Sequence, residues 1–235
     1  MWQALGKAVL KFRIPLIIAL VLLTVFMGYH ASKVQMSYDF SRAIPTDHPK
    51  YKAYLEFKKT FGEDGSLLTI GFTSANFFEV KQFNALTGFQ ERLKKINGVE
   101  DIISVNGAVT LKKNDSTNKL DAIRIFPTNI KSQQALDSLK DIFYSLPFYR
   151  GLLYNPDTKA YLLGLRINSA ILGSKARETT IGEIEKEAAA FAETSQLDLH
   201  LSGLPLIRTN VALRIAEEMQ WFLLGSLLLS ALILF

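Results

Sequence analysis

Ile14-Pro15-Leu16-Ile17-Ile18-Ala19-Leu20-Val21-Leu22-Leu23-Thr24-Val25-Phe26 opens a run without a formally charged side chain that lasts to Ser32. Roughly 19 residues at about 1.5 Å rise reach about 28 Å, close to the hydrocarbon thickness of a bilayer. Its Leu, Ile, Val and Phe residues, at about −0.3 to −0.6 kcal/mol each, favour insertion by several kcal/mol. Pro15 falls in the first turn, where a missing N–H costs little. The spacing predicts a transmembrane helix over residues 14–32. A cleavable signal peptide is the rival reading, because Lys7, Lys11 and Arg13 form a basic segment ahead of the apolar run. Cleavage after Ala31 would put Tyr29 at the −3 position, where a small residue is wanted, so a retained anchor is favoured. Three basic residues and no acid precede the run, and only Lys33 follows before Asp39. That asymmetry makes residues 1–13 a cytoplasmic N-terminus and places the following domain outside.

A second uncharged run begins after Glu217-Glu218 and continues from Met219 to Phe235, with Trp221 where an interfacial aromatic would sit. A buried core helix would show a polar face and this run has none. Residues 219–235 are therefore expected to be a second transmembrane helix, shorter than a full span. The expectation is that the sequence is the beginning of a longer protein, cut within that helix.

Between the two runs, residues 33–218 carry nearly all the charge. The whole chain of 235 residues has a mean hydropathy of +0.15 and 49% hydrophobic residues, both raised by its two ends, and 21% charged residues, a share that those ends lower. The middle is long enough to bury its own core. The absence of cysteine excludes a disulfide scaffold, thiolate zinc sites, iron–sulfur clusters and a cysteine nucleophile. The net charge of +5 is spread along the chain without a Lys/Arg block, so no nucleic-acid partner is expected.

The middle reads as mixed α/β. Pro45 and Pro49 bracket a turn, after which Tyr54, Phe57 and Phe61 mark a short amphipathic helix, broken at Gly62-Glu63-Asp64-Gly65. Leu67–Phe72 is a strand pattern. Val80, Phe83, Leu86, Phe89, Leu93 and Ile96 form one helical stripe that ends at Asn97-Gly98. Ile102–Val109 and Ala122–Phe126 are expected strands around a polar loop, Lys112–Lys119. Ser132 caps a helix carrying Leu136, Leu139 and Phe143, stopped by Pro147. Leu152–Tyr154 and Ala160–Ile167 flank Asn155-Pro156-Asp157 as a hairpin. Ile181, Ile184, Ala188 and Phe191 mark another helix, starting near Ser174 or Thr180, and Leu197–Ser202 is a last strand ending at Gly203. Each half thus has a strand, helix, strand order, which two ferredoxin-like βαβ subdomains would satisfy. Arg208–Gln220 is helix-compatible and enters the second span without Gly or Pro.

Little in the sequence speaks for catalysis, and no enzyme activity, cofactor or metal is expected. His30, His48 and His200 are scattered, with no zinc-ligand spacing. G-x-S-x-G, H-E-x-x-H, the P-loop and G-x-G-x-x-G are all absent. Gly62-Glu63-Asp64-Gly65 lacks the spaced ligands of a calcium loop and reads as a turn. Asn114-Asp115-Ser116 is formally a glycosylation sequon. Glu183, Glu185, Lys186 and Glu187 read as a solvated helix face. Sixteen Phe, many on helix stripes, are either core or the lining of an apolar cleft; no individual substrate-binding residue is assigned.

A set of short features carries a resemblance. The basic start and first span are followed by Ser37-Tyr38-Asp39-Phe40 with Ile44-Pro45, then Phe61-Gly62 before the first strand. Gly98-Val99 leads to Ser104, and Leu201-Ser202-Gly203-Leu204-Pro205 precedes the second span. In that order they resemble the N-terminal part of a bacterial transporter of the resistance-nodulation-division (RND) superfamily, in its MMPL-like, sterol-sensing-domain-like exporter branch. The resemblance implies an α+β membrane protein in which two transmembrane helices flank an extracytoplasmic porter-type domain, residues 33–218. It further implies a multi-pass protein of the cell inner membrane, of about twelve spans in two similar halves. Export of hydrophobic or lipid-like substrates would be driven by protons through carboxylates of a later span. No relay residue is carried over to this sequence, and Asp39, Asp64 and Glu217 are not substitutes. The implied partners are the lipid bilayer, a hydrophobic small molecule or lipid, and the remainder of the same transporter chain, with oligomer formation left open. The alternative is the sensor ectodomain of a two-span receptor, a chemoreceptor or histidine kinase, whose span, domain, span layout is identical.

Overall fold

A computed structural model describes residues 10–31, 33, 45, 47–61, 65–114, 116 and 118–234. Expectations resting on Lys7, Ser32, Ser37–Phe40, Ile44, Gly62–Asp64 and Asp115 lie outside the described residues. The chain divides into two units, Met1–Tyr38 and Asp39–Phe235.

In the first unit, α1 runs over Arg13–Ala31. Its side chains are exposed throughout, with a mean hydropathy of 2.1. A helix this apolar on every side has no face for water and is long enough to cross a membrane. Thr24 satisfies its hydroxyl within the helix by donating to Leu20 O at 2.8 Å.

The second unit begins with α2 (Pro49–Phe61) and continues as β1 (Leu67–Thr73), α3 (Val80–Leu93) and β2 (Val99–Ile103). A 3₁₀ turn at Val105–Gly107 leads to the hairpin β3 (Val109–Asn114) and β4 (Lys119–Arg124). Then follow α4 (Gln133–Tyr144), a second 3₁₀ turn at Pro147–Tyr149, β5 (Tyr154–Asn155) and β6 (Ala160–Ile167). The short α5 (Ser169–Leu172), α6 (Ala176–Ser195), β7 (His200–Ser202) and the long α7 (Leu204–Leu234) complete it.

The principal sheet has the order β2-β6-β1-β7 and is antiparallel throughout, with β5 paired to the start of β6. The two β-α-β units, β1-α3-β2 and β6-α6-β7, therefore interleave in one sheet. Separate subdomains, one per half, were the expectation from the sequence; instead β1 finds a hydrogen-bonding partner on both edges only in strands of the second half. The reason is the antiparallel register, Leu68↔Leu165 and Ile70↔Leu163, which puts the buried residues of both strands on one face.

Leu68, Ile70 and Phe72 alternate inward from β1 and join Phe83, Leu86, Phe89 and Leu93 of α3 and Ile181, Ile184, Ala188 and Phe191 of α6 in a single core. Phe89 and Phe191 stack with centroids 4.4 Å apart. The stripe on α6 begins at Ala176, nearer the earlier of the two expected starts. Glu183 and Lys186 are exposed, as a solvated face requires. Glu185 and Glu187 differ: Glu185 accepts a hydrogen bond from Asn210 of α7 at 3.3 Å, and Glu187 pairs with Arg92 of α3 at 2.9 Å.

Residues 104–159 form an insertion between the two units, bound to them by aromatics and side-chain amides. Phe126 and Phe143 pack against Phe78 and Phe83, while Tyr161 of β6 stacks on Phe77 at 4.0 Å. Gln133 reaches back from α4 to accept from Val80 N and donate to Phe78 O, serving the start of α3. Ser132 caps α4 by accepting from Ala135 N at 3.1 Å. Where one strand was expected over Ile102–Val109, the chain breaks at Ser104, whose hydroxyl accepts from Gly107 N and holds the 3₁₀ turn. The segment Lys112–Lys119, read as a polar loop, gives Lys112, Lys113 and Asn114 to β3 and Lys119 to β4: polar side chains suit strands that are wet on both faces.

Gly203 joins β7 to α7 at φ +128°; a Cβ there would lie 2.5 Å from Leu67 O, so only glycine fits. From that turn α7 continues without interruption for 31 residues, about 46 Å at 1.5 Å rise. Pro205, Leu206, Thr209 and Ala212 are buried against the domain, and beyond them the apolar side chains are exposed. This second helix also satisfies the length and apolarity of a membrane span, with a mean hydropathy of 1.3.

Candidate functional site

The face of the sheet opposite α3 and α6 carries the small and polar residues of the strand alternation: Thr69 and Gly71 of β1, Gly164 of β6, and His200 and Ser202 of β7. With no side chain on Gly71, the sheet is lowest there. The turn Gly151–Leu153 rises beside it, held by Gly151 N donating to Tyr154 O at 2.8 Å and Leu162 N donating to Leu153 O at 3.0 Å. Between turn and sheet lies a recess of about 310 Å³, walled by Leu152 and Leu162, with Thr73, Asn155 and His200 at its margin; Phe72 and Tyr161 border it but turn their rings to the core face. That volume is at the lower end of small-molecule sites, and the mix of apolar walls with a few polar groups is typical of them.

The core behind the recess is electrically quiet. Burial pushes the Tyr161 hydroxyl well above its usual range, aided by its hydrogen-bonding contact with Tyr144 at 3.3 Å. Tyr154 is also raised, chiefly by burial and then by Tyr144, against a lowering influence from Arg150. Both tyrosines stay neutral at physiological pH. The polar margin is supplied by His200, whose Nε2 lies 3.3 Å from Asp198 Oδ2 in an exposed pair. Such a surface suits apolar matter.

The phenylalanine stripes turn out to be core. Phe83, Phe89, Phe143 and Phe191 are at most 2% exposed, and of the phenylalanines only Phe72 borders the recess. The recess residues that sequence reading did not single out are Gly71, Gly151, Leu152 and Leu162. Only the paired small and apolar residues of the strand alternation could have flagged them, and those fit an ordinary two-layer sheet equally well. Among the described residues, no three His, Asp or Glu side chains come together where they could hold a metal ion. His30, His48 and His200 sit on α1, before α2 and on β7, and Glu217 is exposed on α7; Asp39 and Asp64 lie outside the described residues. Set against models of protein families and against curated proteins, the chain matches none.

Proposed function

We propose that this chain is the N-terminal part of a proton-driven exporter of the RND superfamily, MMPL-like branch, its second unit a porter-type domain that handles hydrophobic or lipid-like cargo. One observation carries the reading: α7 starts packed on the sheet and on α6 and runs unbroken into an apolar segment, so cargo handling and a membrane helix share one rigid rod. The β-α-β-β-α-β order within a single antiparallel sheet is that of a ferredoxin-like unit, the kind of module expected of a porter domain. The apolar recess beside Gly71 is where cargo would enter. In this reading the N-terminus is cytoplasmic, residues 33–218 lie outside the inner membrane, and that domain binds without performing chemistry.

Genomic DNA beyond the codon for Phe235 tests the assignment: about ten further spans with a carboxylate in the fourth support it, whereas a HAMP-like or kinase region moves the chain to the sensor class. Cargo binding has its own test, by titrating a fluorescent lipid analogue into the full chain in detergent micelles. A Cβ on Gly71 meets nothing nearer than His200 O at 4.0 Å, so Gly71→Val fills the recess without disturbing the strand. It is expected to abolish saturable binding, while Leu152→Ala weakens it by about 1–3 kcal/mol. Unchanged binding in Gly71→Val removes the recess from the proposal.

A further inference from the structure

The helix α2 lies on the surface of the second unit: from Lys52 to Phe57 every residue is exposed, and only Tyr51 and Lys58 are half-buried. At about 100° per residue, Tyr51, Tyr54, Leu55 and Phe57 fall within an arc of about 160°. Tyr54, Leu55 and Phe57 are 43%, 45% and 55% exposed, and the rings of Tyr51 and Tyr54 lie 6.4 Å apart. The opposite face carries Lys52, Glu56, Lys59 and Thr60, while Lys50 and Lys58 stand among the aromatic positions. The helix thus combines an aromatic face open to its surroundings with four lysines against one glutamate.

Its place in the chain brings α2 close to a bilayer. Gly65, just past the end of α2, packs on the root of α7, where a Cβ on it would lie 3.1 Å from Leu204 Cδ1 and 3.7 Å from an Arg208 guanidinium nitrogen. From Arg208 to Met219, where the uncharged part of α7 begins, is about 16 Å of helix, and the chain from Phe61 to Gly65 spans up to about 14 Å. The end of α2 is therefore within reach of the membrane–water interface. Tyrosine rings are favoured at that level, lysine stems lie along apolar surface while their ammonium groups reach the headgroups, and an excess of lysine selects anionic lipid. We infer that α2 lies in the plane of the membrane surface, with Tyr51, Tyr54, Leu55 and Phe57 at the headgroup–acyl boundary and its lysines on the phosphates of anionic lipids. This in-plane contact rests on α1 and α7 crossing the bilayer and is independent of what the domain transports.

The chain has no cysteine, so single-cysteine variants each carry one fluorophore. Tyr54→Cys, Leu55→Cys, Lys52→Cys and Glu56→Cys, all at exposed positions, are labelled in the full chain in nanodiscs of phosphatidylcholine and phosphatidylglycerol, with Leu228→Cys on α7 as the control for the span. Lipid brominated in its acyl chains should quench labels at 54, 55 and 228, whereas aqueous iodide should quench those at 52 and 56. Replacing phosphatidylglycerol by phosphatidylcholine, or adding Lys52→Gln and Lys59→Gln to Leu55→Cys, should lower the docking equilibrium by about tenfold or more while thermal unfolding stays cooperative. The inference is overturned if iodide reaches 54 and 55 as readily as 52 and 56, if 54 and 55 are shielded from both quenchers, which marks a cover of protein, or if quenching by lipid is the same without phosphatidylglycerol. Quenching at 228 with none at 55 removes the in-plane helix alone; none at either position removes the spans and the inference with them.

Discussion

Tyr149 shows how much one side chain organises here. Its hydroxyl accepts from Val109 N at 2.9 Å and donates to Val109 O at 2.8 Å, occupying both backbone groups of the first residue of β3. The ring is buried and stacks on Phe143 with centroids 5.3 Å apart. Tyr149→Phe keeps the stack and strands both Val109 groups near the protein interior. The expected loss is about 1–3 kcal/mol in denaturant unfolding, with faster hydrogen exchange concentrated in β3 and β4. A loss spread evenly over the sheet would mean that the hydroxyl supports the core rather than the hairpin. Nothing in the sequence marks this residue, because the bond spans 40 positions and joins a side chain to a backbone with no pattern of its own.

At the scale of elements, α7 is the one whose continuity matters. Its first turns are fixed by Pro205, Leu206, Thr209 and Ala212, and Thr209 Oγ1 donates to Pro205 O at 2.8 Å. Spin labels placed singly along 212–222 should show mobility oscillating with a period of about 3.6 residues. Leu213→Pro, costing the helix about 3 kcal/mol, should erase that oscillation and leave the preceding turn docked. A flat mobility profile in the parent chain would rule out a rigid link. Elements of this kind were legible in the sequence. The 3.6-residue stripe of α3 from Phe83 to Leu93 is buried residue for residue, and Ser132, Pro147, Gly98 and Gly203 punctuate the chain where their conformational preferences require. The β3–β4 hairpin was less legible because both its faces are exposed, so no alternation of apolar and polar residues betrays it. The recess was not legible at all: it depends on a glycine and a turn that meet only through strand pairing.

For the whole molecule, alkaline pH is the informative variable. Tyr161 and Tyr154 have folded-state ionisations raised above the ordinary value near 10, mainly by burial. The unfolded chain therefore releases these protons first as pH rises. Their contribution is fully present below about pH 10 and is lost progressively above it, by up to about 1.4 kcal/mol per pH unit for each tyrosine. Denaturant midpoints measured on either side of pH 10 should fall, and Tyr161→Phe should flatten that fall; an equal slope in parent and variant would assign the alkaline loss to other groups.

The interleaved sheet also sets a timetable. Thr69 of β1 donates to Ser202 of β7 across 133 positions of chain, and its other edge waits for β6. At about 5–20 residues per second on a ribosome, β1 spends on the order of ten seconds emerged with neither neighbour made. A strand so apolar, followed by one helix that already wants to bury its phenylalanines, must be shielded during that interval, and the fastest route to a misassembled chain is a stall in translation before β6.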